Sequence, residues 1–196
     1  MKRLRYAVAT SLDGYIAGPK GEADWIVMDP DIDFGSIFNE FDTLVMGRRT
    51  FTAMGDTGSG EFGGPFRGMK IVVVSRTLDK QRYPKATIVS ENLKDAIAAM
   101  KHEPGKDIWL FGGGHLFQSL LDLDLVDTVE VAVVPVLLGQ GIPLLPGAAK
   151  RAQLVLTSHT VYPKTGTIAL AYDVKRATKR SQRAPRRSGS RELAVL

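Results

Sequence analysis

No cysteine occurs in the 196 residues, which excludes a disulfide framework, a Cys-ligated zinc or iron–sulfur centre and a thiol nucleophile. Histidine is nearly as scarce: only His102, His115 and His159 are present, so no metal site is expected. No apolar run approaches the roughly eighteen residues a membrane-spanning helix needs. The basic opening Lys2-Arg3-Leu4-Arg5 resembles the start of a secretory leader. Its apolar stretch, however, stops at Thr10-Ser11 and meets Asp13, too short for a leader's hydrophobic core. The expectation is a soluble, cytoplasmic protein.

What is present is enough apolar sequence, 44%, to build a sizeable core, and this excludes a wholly disordered or fibrous chain. The net charge of +5 is unevenly divided. Lys175 to Leu196 holds eight Lys/Arg and one acid, Glu192, whereas the preceding 174 residues carry a net −2. Residues 1–174 therefore read as one domain and 175–196, rich in Arg, Ser and Pro, as a disordered basic tail. That tail lacks aromatic residues for base stacking, so any nucleic-acid contact is expected to be weak and salt-sensitive.

Strand and helix patterns alternate along the body. Leu4–Ala9 reads as a strand, and Ser11-Leu12-Asp13-Gly14 as a turn beginning a long loop. Phe34, Ile37, Phe38 and Phe41 recur at helical spacing over 33–41. Thr43–Gly47 reads as a strand, 49–54 as a short helix and Ile71–Val74 as a strand buried on both faces. A helical stripe follows at Leu93, Ala96, Ile97 and Met100, then a strand over 107–111, a helix over 115–121 and a strand over 126–134. Leu154–Val161 and Thr167–Val174 flank Pro163-Lys164-Thr165-Gly166 and predict a hairpin. The pattern implies a three-layer α/β/α sandwich with a mostly parallel sheet and an antiparallel C-terminal hairpin.

Three segments share one design, an apolar strand ending in Gly, Ser or Arg ahead of a helix or turn. They are Met46-Gly47-Arg48-Arg49-Thr50, Val74-Ser75-Arg76-Thr77 and Phe111-Gly112-Gly113-Gly114-His115. In a parallel sheet these ends share one edge, where ligands of α/β folds bind. Glycines admit a diphosphate to the backbone, helix starts offer free N–H groups and arginines grip phosphate. The set describes a site for a dinucleotide bearing an extra phosphate. An ordinary NAD-type Rossmann site is excluded, because Phe117 stands where the fingerprint's third glycine belongs.

On these residues, together with Ser11-Leu12-Asp13-Gly14-Tyr15-Ile16-Ala17, Gly21-Glu22-Ala23-Asp24-Trp25 and Val134-Pro135-Val136-Leu137-Leu138-Gly139-Gln140-Gly141, the sequence resembles the dihydrofolate reductase superfamily. It is closest to the branch containing the C-terminal reductase domain of bacterial riboflavin biosynthesis proteins. The resemblance implies an NADPH-dependent oxidoreductase that passes hydride to a small heterocycle, carbonyl or imine. The alternatives are dihydrofolate reductase activity proper and a non-catalytic NADP-binding protein.

By that resemblance, the backbone of Ala9, Ile16 and Ala17 faces the nicotinamide carboxamide. Gly47, Arg48, Arg49 and Thr50 hold phosphates, and Ser75 and Arg76 lie by the 2′-phosphate. Gly112-Gly113 matches the family's cis peptide, and Gly113, Gly114, His115 and Leu116 present N–H groups to the pyrophosphate. Two lysines of the riboflavin-pathway reductases are replaced by Ala7 and Tyr15, which weakens the case for their phosphorylated substrate. Asp31 stands for the substrate-binding acid of dihydrofolate reductases, while Asp33 reads as a helix cap. Asp13 is either a substrate-positioning acid or a turn residue, and Trp25 either stacks on the acceptor or anchors the core. The proton donor is Asp31 or water. Relatives in this branch pair through their last strands, so a homodimer is expected.

Overall fold

The computed structural model describes residues 1–55, 60–147 and 150–175; of the tail read over 175–196, Lys175 ends a strand and the rest lies outside the described residues. In chain order the strands are β1 (Leu4–Ser11), β2 (Tyr15–Ala17), β3 (Phe41–Gly47), β4 (Lys70–Val74), β5 (Ala86–Val89), β6 (Asp107–Gly112), β7 (Thr128–Val134), β8 (Ile142–Pro143), β9 (Gln153–Tyr162) and β10 (Thr167–Lys175). The α-helices are α1 (Phe34–Asn39), α2 (Arg48–Ala53), α3 (Leu93–His102) and α4 (Gly114–Asp122). An eight-stranded sheet runs β5-β4-β3-β6-β1-β7-β10-β9, and β2 pairs β8 in a small second sheet. From β5 to β7 every neighbouring pair is parallel; β10 and β9 close the sheet antiparallel.

Alternation along the strands produces the layers, because successive side chains leave a strand on opposite faces. Leu4, Tyr6, Val45, Val72 and Leu110 point to the side where α3 and α4 contribute Ile97, Met100, Phe117 and Leu120. Leu44, Met46, Ile71, Val73 and Trp109 point to the other, where α1 and α2 bring Ile37, Phe38 and Phe51. Each such side chain contributes about 1.5–3 kcal/mol by burial, so both layers are needed to hold the sheet. The architecture is the expected three-layer α/β sandwich.

The structure differs from the sequence reading in particulars. α1 stops at Asn39, and Phe41, read as its last apolar residue, opens β3 while remaining in the same core. Its start is as read: Asp33 caps the helix, accepting from the Ser36 N–H at 3.0 Å. β5 and the β2–β8 pair were not expected. These strands are four residues or fewer, too short for a periodic signal.

Candidate functional site

The chain leaves β3 for α2 on one face of the sheet and leaves β6 for α4 on the other. Since β3 and β6 are neighbours, their C-terminal ends form a topological switch point, where open α/β sheets bind ligands. A second feature widens it. β1 stays paired with β6 only as far as Tyr6, opposite Leu110, but continues with β7 to Ser11, opposite Val134. Beyond Tyr6 the β6-facing edge of β1 is therefore open. Trp109 Nε1 donates to the Ala7 carbonyl at 2.9 Å, and Ala9, two residues on, directs its backbone the same way.

A cavity of about 1820 Å³ occupies this crevice. That exceeds the roughly 300–1,000 Å³ of an ordinary small-molecule pocket and leaves room for a dinucleotide and a second molecule. All the residues that the sequence reading assigned to the cofactor line it. Ala9 lies on the open edge of β1, with Ile16 and Ala17 on β2 opposite. Gly47 ends β3 and leads to exposed Arg48 and Arg49 and half-buried Thr50. Ser75 is buried and its Oγ accepts from the N–H groups of Thr77 at 3.2 Å and Leu78 at 3.0 Å, a turn that leaves Arg76 exposed. Among the described residues, Arg48, Arg49 and Arg76 form no ion pair. Three uncompensated guanidinium groups beside glycine-tipped strands are a donor set suited to a phosphorylated dinucleotide.

At the end of β6 two details correct the expectation. The Gly112–Gly113 peptide is trans; Gly113 makes the turn with φ at +92°, which glycine adopts without a Cβ clash. Thr50 Oγ1 lies 3.5 Å from where a Cβ on Gly113 would stand. Leu116 does not offer its N–H outward, because it donates to the Gly113 carbonyl at 2.9 Å. Gly114 and His115, the first residues of α4, have no N–H acceptor within the helix, and the His115 side chain is exposed.

Asp13, Asp31 and Trp25 do not line the cavity. Asp13 accepts from Ser11 Oγ at 2.6 Å and from the N–H groups of Leu138 at 3.1 Å and Gly139 at 2.7 Å. The Ser11 hydroxyl above all, together with these N–H groups, holds its carboxyl below the ordinary value against the opposing effect of burial. Its task is to clasp the turn after β1 to the turn after β7. Asp31 is exposed and pairs with Lys164 at 2.7 Å. Trp25 is half-buried, with Nε1 donating to the Glu22 carbonyl at 3.2 Å. The loop after β2 instead lines the cavity with Ile26, Val27, Met28 and Ile32, and nearer its start with Lys20.

Two groups that line the cavity escaped the sequence reading. Arg5 and Glu130 form a two-point ion pair, Nε to Oε1 at 2.7 Å and Nη2 to Oε2 at 2.8 Å, and Glu40 also holds Arg5. Burial opposes the Arg5 charge, but Glu130 and Glu40 outweigh it and raise its pKa. The available signal was a single acid, Glu130, within the apolar run Thr128–Val134. No group of acids and histidines with metal-binding spacing occurs among the described residues, and no described helix is long and apolar enough to cross a membrane.

A parallel sheet with an antiparallel end, open at a glycine-tipped switch point, defines a reductase-type fold of the dihydrofolate-reductase-like class. Residues 2–167 match the model of the RibD C-terminal domain, and the chain belongs to that family. It is 33% identical over 183 residues to YyaP of Bacillus subtilis (strain 168), itself an uncharacterized protein, covering 87% of this chain and 94% of that one. A Shewanella sp. PV-4 protein named for riboflavin biosynthesis superposes with a TM-score of 0.74 at 27% identity, over 90% of this chain and 100% of that one. Dihydrofolate reductase from Enterococcus faecalis, solved with NADP(H), reaches a TM-score of 0.65 at 20% identity, over 89% and 97% of the two chains. At that identity the likeness is one of fold.

Proposed function

We propose that the protein is an NADPH-dependent reductase of small planar heterocycles or of carbonyl or imine groups. The observation that carries this reading is the convergence of Arg48, Arg49, Arg76 and the Gly112–His115 turn on the cavity beside the open edge of β1. Arg48, Arg49 and Thr50 grip the phosphates, Arg76 selects the 2′-phosphate, and the α4 start meets the pyrophosphate. Ala9, Ile16 and Ala17 offer backbone groups to a carboxamide. Bound there, a reduced nicotinamide supplies the hydride.

The chain's own contribution is orientation and exclusion of water. The β1 edge fixes one face of the nicotinamide site, and Ile26, Val27 and Met28 cover the acceptor side. With Asp31 outside the cavity, water is the proton source in this reading. We further propose that the protein is a homodimer formed through β9 and β10.

Titration with NADPH and NADH, followed by nicotinamide fluorescence, tests the cofactor. NADPH is expected to bind at least about tenfold more tightly, a difference of about 1.4 kcal/mol. Arg76→Ala should erase that difference, and Arg48→Ala should weaken both nucleotides. Absence of binding by either nucleotide overturns the reading.

A further inference from the structure

The cavity extends beyond the cofactor residues across β1, β7, β10 and β9, and its floor there has an unusual composition. Ala9 lies opposite Ala132, Ala132 opposite Ala169, and Ala169 opposite Thr160. These positions form one row across four strands on one face. Neighbouring strands lie about 4.8 Å apart, so the three alanines make a flat shelf roughly 10 Å wide. The next row reads Ala7, Glu130, Ala171, Ser158. Glu130 thus stands among alanines one row from the shelf, about 7 Å from Ala9 by sheet geometry.

The Glu130 side chain is 21% exposed, and Arg5 occupies one acceptor position on each of its oxygens. An ionised carboxylate has about four such positions, so two remain for a ligand. Arg5 has little to offer an anion: Glu130, Glu40 and Asp107 already hold it, and its side chain is 16% exposed above the Phe41 ring. This end of the cavity combines one neutralised guanidinium with two lining carboxylates, Glu130 and Glu40. The cofactor end has three unpaired guanidinium groups against one lining carboxylate, Glu91, so the cavity is electrically polarised along its length.

Resting on the reductase reading of the site, we infer that Glu130 is the specificity-determining residue for the acceptor. It selects a flat, phosphate-free ring that lies on the alanine shelf and presents an amidine-like N–H edge to the carboxylate. The same charges repel an acceptor bearing a phosphate or carboxylate. Arg5 is a positioning residue that fixes the Glu130 carboxylate beside the shelf.

The test uses probes of matched shape and different charge: naphthalene-2-carboxamidine, naphthalene-2-carboxylate and 2-naphthyl phosphate. Each is titrated calorimetrically into the NADP⁺-saturated protein, so that the arginine end is occupied. The amidine is expected to bind at least about tenfold more tightly than either anion. Glu130→Gln should narrow that preference to about threefold or less while leaving NADP⁺ affinity unchanged. Ala169→Leu, which keeps every charge but raises a side chain from the shelf, should abolish binding of the amidine. The inference is overturned by an anion binding as tightly as the amidine or by no amidine binding up to about 1 mM. An unchanged preference in Glu130→Gln, or retained amidine binding in Ala169→Leu, overturns it as well. Failure of NADP⁺ to bind overturns the cofactor reading alone; the Glu130→Gln effect on the amidine is then read on the unloaded protein.

Discussion

Gly114 begins α4 against the segment that closes the cavity wall. A Cβ there would lie 2.5 Å from the Pro143 carbonyl oxygen and 2.8 Å from Pro146 Cδ. The first obstacle is backbone, so it cannot rotate aside. Gly114→Ala should lower stability by about 1–3 kcal/mol, the usual cost of overpacking, and weaken NADPH binding by shifting the helix start. Urea unfolding and nucleotide titration of the variant measure the two effects; wild-type behaviour in both would contradict the close approach. Tyr6 presents the opposite case. It is fully buried, stacked on Phe117 with centroids 3.9 Å apart, and its hydroxyl has no hydrogen-bond partner among the described residues. A buried polar group without a partner costs about 1–3 kcal/mol, so Tyr6→Phe should match or exceed wild-type stability. A loss of more than about 1 kcal/mol in the same unfolding assay would reveal a partner for the hydroxyl.

At the scale of elements, the long loop after β2 is tied to the β9–β10 turn. Asp29 is buried and accepts from the Thr165 N–H at 3.0 Å, Thr165 Oγ1 at 2.9 Å and the Asp31 N–H at 2.9 Å. Burial acts to raise its pKa, but those donors and the Lys164 charge prevail and hold it below the ordinary 3.8. A carboxyl lowered in the folded state contributes fully above its ordinary value and loses that contribution as pH falls through the lowered one. Asp29→Asn should therefore be less stable than wild type at pH 7, with the gap closing below about pH 4. Urea midpoints across pH decide this, and equal midpoints at pH 7 would mean the clasp adds nothing. The clasp also shows where the sequence was legible. The glycine-tipped strand ends were readable because each is local: a strand, a turn and a helix start within ten residues. Asp29 and Thr165 are far apart in the chain, as are Arg5 and Glu130. Nothing local distinguishes an acid that locks a loop from one that binds substrate. Asp13 was open to both readings for the same reason, until its partners Leu138 and Gly139 were known.

The whole molecule leaves one end of its sheet unfinished. β9 is the edge strand and exposed along nearly its whole length. Leu154, Leu156 and Val161 lie opposite Val174, Tyr172 and Ile168, on the face that α3 and α4 cover elsewhere. Leu154, Leu156, Val161 and Ile168 are each between 39% and 57% exposed, so the patch is continuous across both hairpin strands. Exposed apolar surface of this kind on a long edge strand invites pairing with another chain. The proposed homodimer would cover it with the same patch of a second copy, as two-fold symmetry requires. None of the residues assigned to the cofactor lies on β9 or β10, so disrupting the pair should spare the cofactor site. Leu156→Glu puts like charges face to face across such an interface. In size-exclusion chromatography with light scattering, the wild type is expected at twice the 21.3 kDa chain mass and Leu156→Glu at the single mass. NADPH affinity should be the same in both. A wild-type chain that elutes as a monomer at micromolar concentration removes the dimer. A Leu156→Glu dimer would instead move the interface off this patch.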